Sequence, residues 1–186
     1  MKVTILPQEI RSAQGYAGLS LEYTFRKLEQ QQSRLAGNAR QRNIMVGRVA
    51  RNVVSRVLHD NGIATTCEET SPAEWKHYCL ATLDGVFLQV RLIGDRPNYT
   101  NLLEDIQSFN YRHHDFYIAT TSRDKLETLE IIGYARRDEL ERLKPCDFGQ
   151  GVLNRCVPLA RLHPFDELVL EIDSRAQGAR RPRVMT

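Results

Sequence analysis

Apolar residues recur at intervals of three and four along two stretches near the N-terminus, the pattern of helices with one buried face. Over residues 19–35, Leu19, Tyr23, Leu28 and Leu35 share a broad face, and Glu22, Arg26, Glu29 and Gln30 fill the others. Gly37-Asn38 is expected to break that helix. A second helix is predicted over 39–60, carried by Val46, Val49, Ala50, Val53, Val54, Val57 and Leu58. Asn61-Gly62 closes it with residues that readily adopt a left-handed conformation. Ahead of both helices, residues 2–6 alternate as a short strand.

The spacing then changes to that of β-structure. Residues 63–67 read as a strand and 68–72 as a loop. The runs 75–83 and 86–93 are strand-like and joined by Asp84-Gly85, a two-residue hairpin signal in which both turn positions need positive φ. A loop over 94–100 precedes a short helix at 101–109, with Leu102, Leu103 and Ile106 on one side. Strands follow at 116–120 and 126–135, then a helix at 137–143 stopped by Pro145, a strand at 152–159 and a short helix at 165–172. The order predicts an α/β fold, a mixed central sheet flanked by helices. It divides into an N-terminal strand and helix extension (1–37), a core domain (38–173) and a basic C-terminal tail (174–186).

Composition narrows the class. The chain has 186 residues, 41% hydrophobic and 26% charged, which suits one soluble domain with a sizeable core. No apolar run approaches the roughly 20 residues of a membrane span, and the apolar run at the N-terminus is too short for a signal peptide. A cytoplasmic location without membrane association is expected. Cys67, Cys79, Cys146 and Cys156 form no Cys-x-x-Cys pair, so no structural zinc is expected. Cys79 reads as a buried free thiol. His113-His114-Asp115 reads as a loop into a buried strand, because adjacent strand residues point to opposite faces. Glu127 and Glu130 read as the solvent side of their strand. Trp75, Tyr78 and Phe87 are candidate base-stacking residues, but aromatics in strands are more often core.

The net charge of +3 says little; its distribution says more. Residues 30–59 contain no acid but carry Arg34, Arg40, Arg42, Arg48, Arg51 and Arg56. After Asp173 the chain again has no acid, and carries Arg175, Arg180, Arg181 and Arg183. Arginine-only blocks suit a polyanion, since the planar guanidinium donates two parallel hydrogen bonds to a phosphate. The alternative is a solvated helix face followed by a solubilising tail. Candidate nucleic-acid contacts are therefore Arg40, Arg42, Arg48, Arg51, Arg56, Arg91, Arg180, Arg181 and Arg183.

Several words in the chain occur together and in order: Gly47-Arg48-Val49-Ala50, Leu88-Gln89-Val90-Arg91, Asp115-Phe116-Tyr117-Ile118, and Ile132-Gly133-Tyr134-Ala135-Arg136-Arg137-Asp138-Glu139-Leu140. Val157-Pro158-Leu159-Ala160-Arg161-Leu162-His163-Pro164 follows them. Across about two thirds of the chain they resemble the PD-(D/E)XK, or restriction-endonuclease-like, nuclease superfamily. That resemblance implies a magnesium-dependent site made of hairpin carboxylates and a strand-end lysine. Here the strand-end acid slot holds Gln89, the lysine slot Arg91, the earlier acid slot Cys79 and the helix slot Arg51. The degenerate catalytic set is Asp84, Gln89 and Arg91, and Asp84 is the hairpin's single carboxylate, with Glu104 and Asp105 more remote.

Three functions follow as expectations. The first is a nucleic-acid-binding or assembly protein on a nuclease-like fold whose site no longer cuts, with Arg51 beside Arg91 forming a cationic groove and no cofactor or metal. The second is a magnesium-dependent endonuclease with a variant Asp-Gln-x-Arg motif. The third is a protein-interaction subunit of a defence, phage or mobile-element complex, with a protein partner or homo-oligomer. The alternative for Gln89 and Arg91 is that they are ordinary strand residues, one facing solvent.

Overall fold

A computed structural model describes residues 1–28, 34–66, 79–93, 100–111, 113–122, 126–147 and 151–180, with the side chains of 19–40, 79 and 176–180 outside that description. In chain order the elements are β1 (Lys2–Thr4), α1 (Pro7–Leu28), α2 (Arg34–Asp60), β2 (Thr65–Thr66), β3 (Cys79–Thr82), β4 (Phe87–Leu92), β5 (Asn101–Asp105), α3 (Ile106–Tyr111), β6 (Phe116–Thr121), β7 (Thr128–Arg136), α4 (Arg137–Arg142), β8 (Cys146–Asp147), β9 (Leu153–Pro158), a 3-10 turn (Leu159–Arg161) and α5 (Phe165–Arg180). The fold is α/β with a mixed sheet. Six strands order as β1-β7-β6-β4-β3-β2, and a second sheet orders as β5-β9-β8.

Strand β6, Phe-Tyr-Ile-Ala-Thr-Thr, is buried throughout. It lies parallel to β4 and antiparallel to β7. A strand flanked by neighbours and covered on both faces reads as an apolar run without alternation, as Phe116-Tyr117-Ile118-Ala119 does, while buried Thr120 spends its hydroxyl on the Arg91 carbonyl at 3.0 Å. One sheet face carries Leu88, Val90, Phe116 and Ile118 against Val49, Val53, Val54 and Val57 of α2, with Ala13 of α1 and Leu168 and Ile172 of α5 in the same core. The opposite face carries Tyr117, Ala119 and Ala135 against Leu102, Phe109, Leu140 and Val157 of the smaller sheet and its helices. Each fully buried Val, Leu or Phe contributes about 1.5–3 kcal/mol, so both faces matter to stability.

Several sequence expectations are corrected. Helix α1 begins at Pro7, not near residue 19. Proline suits the first helical position because its missing N–H has no partner to lose there, and Glu9 Oε2 accepts the Leu6 N–H at 2.7 Å. Helix α2 runs through Gly37-Asn38; a mid-helix glycine costs only about 1 kcal/mol, which a long packed helix outweighs. Within the segment 1–37, β1 pairs with β7 and Ile5 joins the core. Residues 101–105 form a strand where a helix was expected, because β9 offers them a ladder from Asn101↔Pro158 to Asp105↔Asn154. Only 106–111 are helical, started by Asp105, whose Oδ1 accepts the N–H groups of Gln107 and Ser108 at 2.7 and 3.1 Å.

The β3–β4 hairpin also differs. Its loop is Leu83-Asp84-Gly85, three residues long: the Gly85 N–H reaches Thr82 O at 3.1 Å and the Thr82 N–H reaches Val86 O at 2.9 Å. Only Gly85, at φ 81°, needs the left-handed region, as in a turn ending in a glycine bulge. The part of the expected 75–83 strand before Cys79, with Trp75 and Tyr78, lies outside the described residues. Helix α5 extends to Arg180, so Arg175 and Arg180 belong to a helix rather than to a tail.

Candidate functional site

Gln89 and Arg91 sit on β4 on the face turned toward the smaller sheet. Gln89 is fully buried and lies across from Cys79 on one side and Tyr117 on the other. Arg91 Nε donates to Glu104 Oε2 at 2.5 Å, and Nη2 contacts the same oxygen. Glu104 has no solvent exposure and Arg91 is 22% exposed. Alternation along β5 accounts for this: Leu102 and Glu104 share the buried face. The sequence reading puts Glu104 on a remote helix; Asn-Leu-Leu-Glu-Asp has no apolar–polar alternation, and its alternating burial follows from pairing with β9.

Burial pushes the Glu104 carboxyl above its ordinary range, opposed by the adjacent Arg91 charge and hydrogen bonds from Arg91 and Ser108. Tyr117 completes the cluster. Burial first, and then the Glu104 charge, raise its phenol well above the usual value. Its ring stacks on Phe109 at 5.7 Å and meets the His114 edge at 5.8 Å. The Arg137 guanidinium lies over the other partner, 4.3 Å from the Phe109 ring centre, and pairs with Glu141 at 2.8 Å.

Asp84 is exposed at the hairpin tip. From Phe87 to Arg91 alone β4 rises about 13 Å, so Asp84 shares no ion with Arg91. Of the carboxylates named for a magnesium site, Asp84 is distant, Asp105 caps α3 and Glu104 is held by Arg91. The residues present do not fit the hard, anionic oxygen set that magnesium requires. Among the described residues no group of three His, Cys, Asp or Glu is placed to hold a metal ion.

The remaining arginines divide by partner. Arg48 is buried with its guanidinium 3.5 Å from the Tyr16 ring centre. Arg51 is buried and donates to Asn52 Oδ1 at 3.3 Å. It belongs to α2, on the opposite sheet face from Arg91, so the two do not form one groove. Arg56 donates to Glu9 Oε1 at 2.9 Å and to Thr4 O at 2.8 Å. Arg42 is exposed. The Arg40 and Arg180 side chains, and Arg181 and Arg183 altogether, lie outside the described residues.

A cleft of about 480 Å³ opens between α1, α2 and β2, lined among others by Ser12, Asn52, Arg56 and Thr65. Its Arg56 is paired with Glu9 at 2.9 Å.

The Gly133-Tyr134 and Leu162-His163 words prove to be one structural lock. Tyr134 and His163 exchange backbone hydrogen bonds at 3.0 and 2.8 Å. Tyr134 Oη donates to Glu171 Oε1 at 2.5 Å, Arg136 Nε donates to Glu171 Oε2 at 3.1 Å, and His163 Nε2 lies 2.6 Å from Glu139 Oε1. Burial alone would raise the Glu171 carboxyl, but hydrogen bonds from Arg136 and Tyr134 hold it below its ordinary range. Glu139 is likewise held low, against burial, by the Arg136 backbone N–H and His163.

No protein-family model matches the chain, and no curated protein or solved structure shows significant similarity to it.

Proposed function

We propose that the protein binds nucleic acid on a nuclease-like α/β scaffold and does not cut it. The observation that carries this reading is Arg91: a partly exposed side chain, held by a buried carboxylate, where a cutting site needs free anionic metal ligands. Two features support it. The element order is a long helix, a hairpin and a short helix, then a strand parallel to the hairpin's second strand, the arrangement carrying the words that resemble PD-(D/E)XK nucleases. Arg91 also lies toward the carboxyl end of β4, beside the parallel β6, and carboxyl ends of parallel strands are where open α/β sheets bind ligands. Arg42 is exposed on helix α2, which carries no acid before Asp60.

Fluorescence anisotropy with labelled single-stranded DNA, duplex DNA and RNA tests the reading. Binding is expected to survive EDTA and to weaken steeply with salt, as neutralised phosphates release their counterions. Incubation with magnesium or manganese is expected to leave all three substrates intact. Metal-dependent cleavage abolished by Asp84→Ala would instead establish the endonuclease, and no affinity at low salt would end the binding reading.

A further inference from the structure

We infer that Glu104 is a positioning residue, holding the Arg91 guanidinium as a preset fork for a single phosphate group. The inference rests on the binding reading and names a part of its site that the arginine pattern alone does not contain.

An arginine has five N–H donors in a fixed plane. Nε and Nη2 both address one oxygen, Glu104 Oε2, so a single carboxylate oxygen grips one edge. Among the described residues, Nη1 has no hydrogen-bond partner, and the side chain remains 22% exposed while Glu104 is wholly covered. The carboxylate thus holds the guanidinium from the protein interior, with Nη1 not committed to Glu104. Fixing the side chain at folding removes rotamer freedom that would otherwise be lost on binding.

A carboxylate placed to compete with phosphate would sit on the solvent side of the arginine. Glu104 sits on the buried side, reached from β5, which the β9 ladder holds in register through Glu104↔Arg155. Glu104 and the neighbouring Asp105 are the acids of this cluster. The cations contributing at the adjoining Tyr117 are Arg91 and Arg137, and Glu104 is the acid.

The test combines two probes. A labelled oligothymidylate is titrated at several salt concentrations, and inorganic phosphate is titrated while the Arg91 Nε–H resonance is followed by NMR. Arg91→Gln is expected to weaken oligonucleotide binding about tenfold, the loss of a charge-assisted bond, and to lower the salt slope by about 0.7, one single-strand phosphate. Glu104→Gln is expected to weaken binding in the same direction with the charge of Arg91 intact. Arg91→Lys keeps the charge, loses the fork and should fall between. Unchanged or tighter binding by a folded Glu104→Gln protein overturns the positioning role. If Glu104→Gln fails to fold, Arg91→Lys decides, and wild-type affinity in that variant overturns the fork. Oligonucleotide binding that needs Arg42 but is indifferent to Arg91 and Glu104 sinks this inference and leaves the binding reading standing. A phosphate-induced shift at Arg91 without oligonucleotide binding does the reverse.

Discussion

Arginine takes several roles in this chain, decided by partners distant in sequence. Arg48 lies over Tyr16, Arg56 is tied to Glu9 across 47 positions, and Arg175 pairs with Asp115 across 60. Arg155 donates to the carbonyls of Leu140, Glu141 and Leu143 at 2.7–2.9 Å, satisfying the open end of α4. A residue-by-residue charge count registers these side chains alike. Gly133 shows the same dependence on a distant neighbour. A Cβ there would lie 2.5 Å from the His163 carbonyl oxygen, which itself accepts the Tyr134 N–H. That carbonyl cannot withdraw without breaking the bond. Gly133→Ala is therefore expected to destabilise by about 1–3 kcal/mol, read as a lower urea midpoint with an unchanged m-value.

At the scale of elements, the lock between β7 and α5 depends on ionised Glu171 and Glu139. Both carboxyls are held below their ordinary range in the folded protein. Their contribution is thus fully present above the unfolded pKa of about 4.3 and is lost as pH falls through the lower folded values. Urea midpoints measured from about pH 6 to pH 3 should fall less steeply for Glu171→Gln than for the wild type. Because these groups are partly exposed, the effect is moderated by solvent. Elements with strong internal period were legible from sequence: α2 from its valines, β4, β6 and β7 from their apolar runs, and α4 with its stop before Pro145. The 101–109 segment was not, because Leu102, Leu103 and Ile106 fit a helix as well as a strand. Only pairing with β9 settles the choice, and β9 lies some 50 residues away.

At the scale of the molecule, the two sheet faces separate residues that one linear charge block had joined. Arg51 and Arg91 lie on opposite sides, Arg48 and Arg56 serve the α1–α2 packing, and Arg42 stays on the surface. Paired substitutions distinguish these roles. Arg42→Glu is expected to weaken oligonucleotide binding without moving the thermal midpoint. Arg56→Gln leaves buried Glu9 without its charge partner and is expected to cost about 1–3 kcal/mol of stability with less effect on the salt slope. Equal loss of binding in both at unchanged stability would place Arg56 at the interface instead. No described helix is long and apolar enough to cross a membrane.

The sequence by itself determined the α/β class, the positions of the most periodic elements and the absence of acid over 30–59. Each of these depends on neighbours within a few residues. Tertiary structure decided that the N-terminal strand joins the main sheet, that 101–105 pairs rather than coils, and that Arg91 meets Glu104. Strand pairing and ion pairing depend on which segments come together in space, and no local pattern in the chain encodes that. The Gln89-Val90-Arg91 word shows the boundary clearly: its residues were legible as a strand end, and its chemistry awaited the carboxylate that β5 brings beneath it.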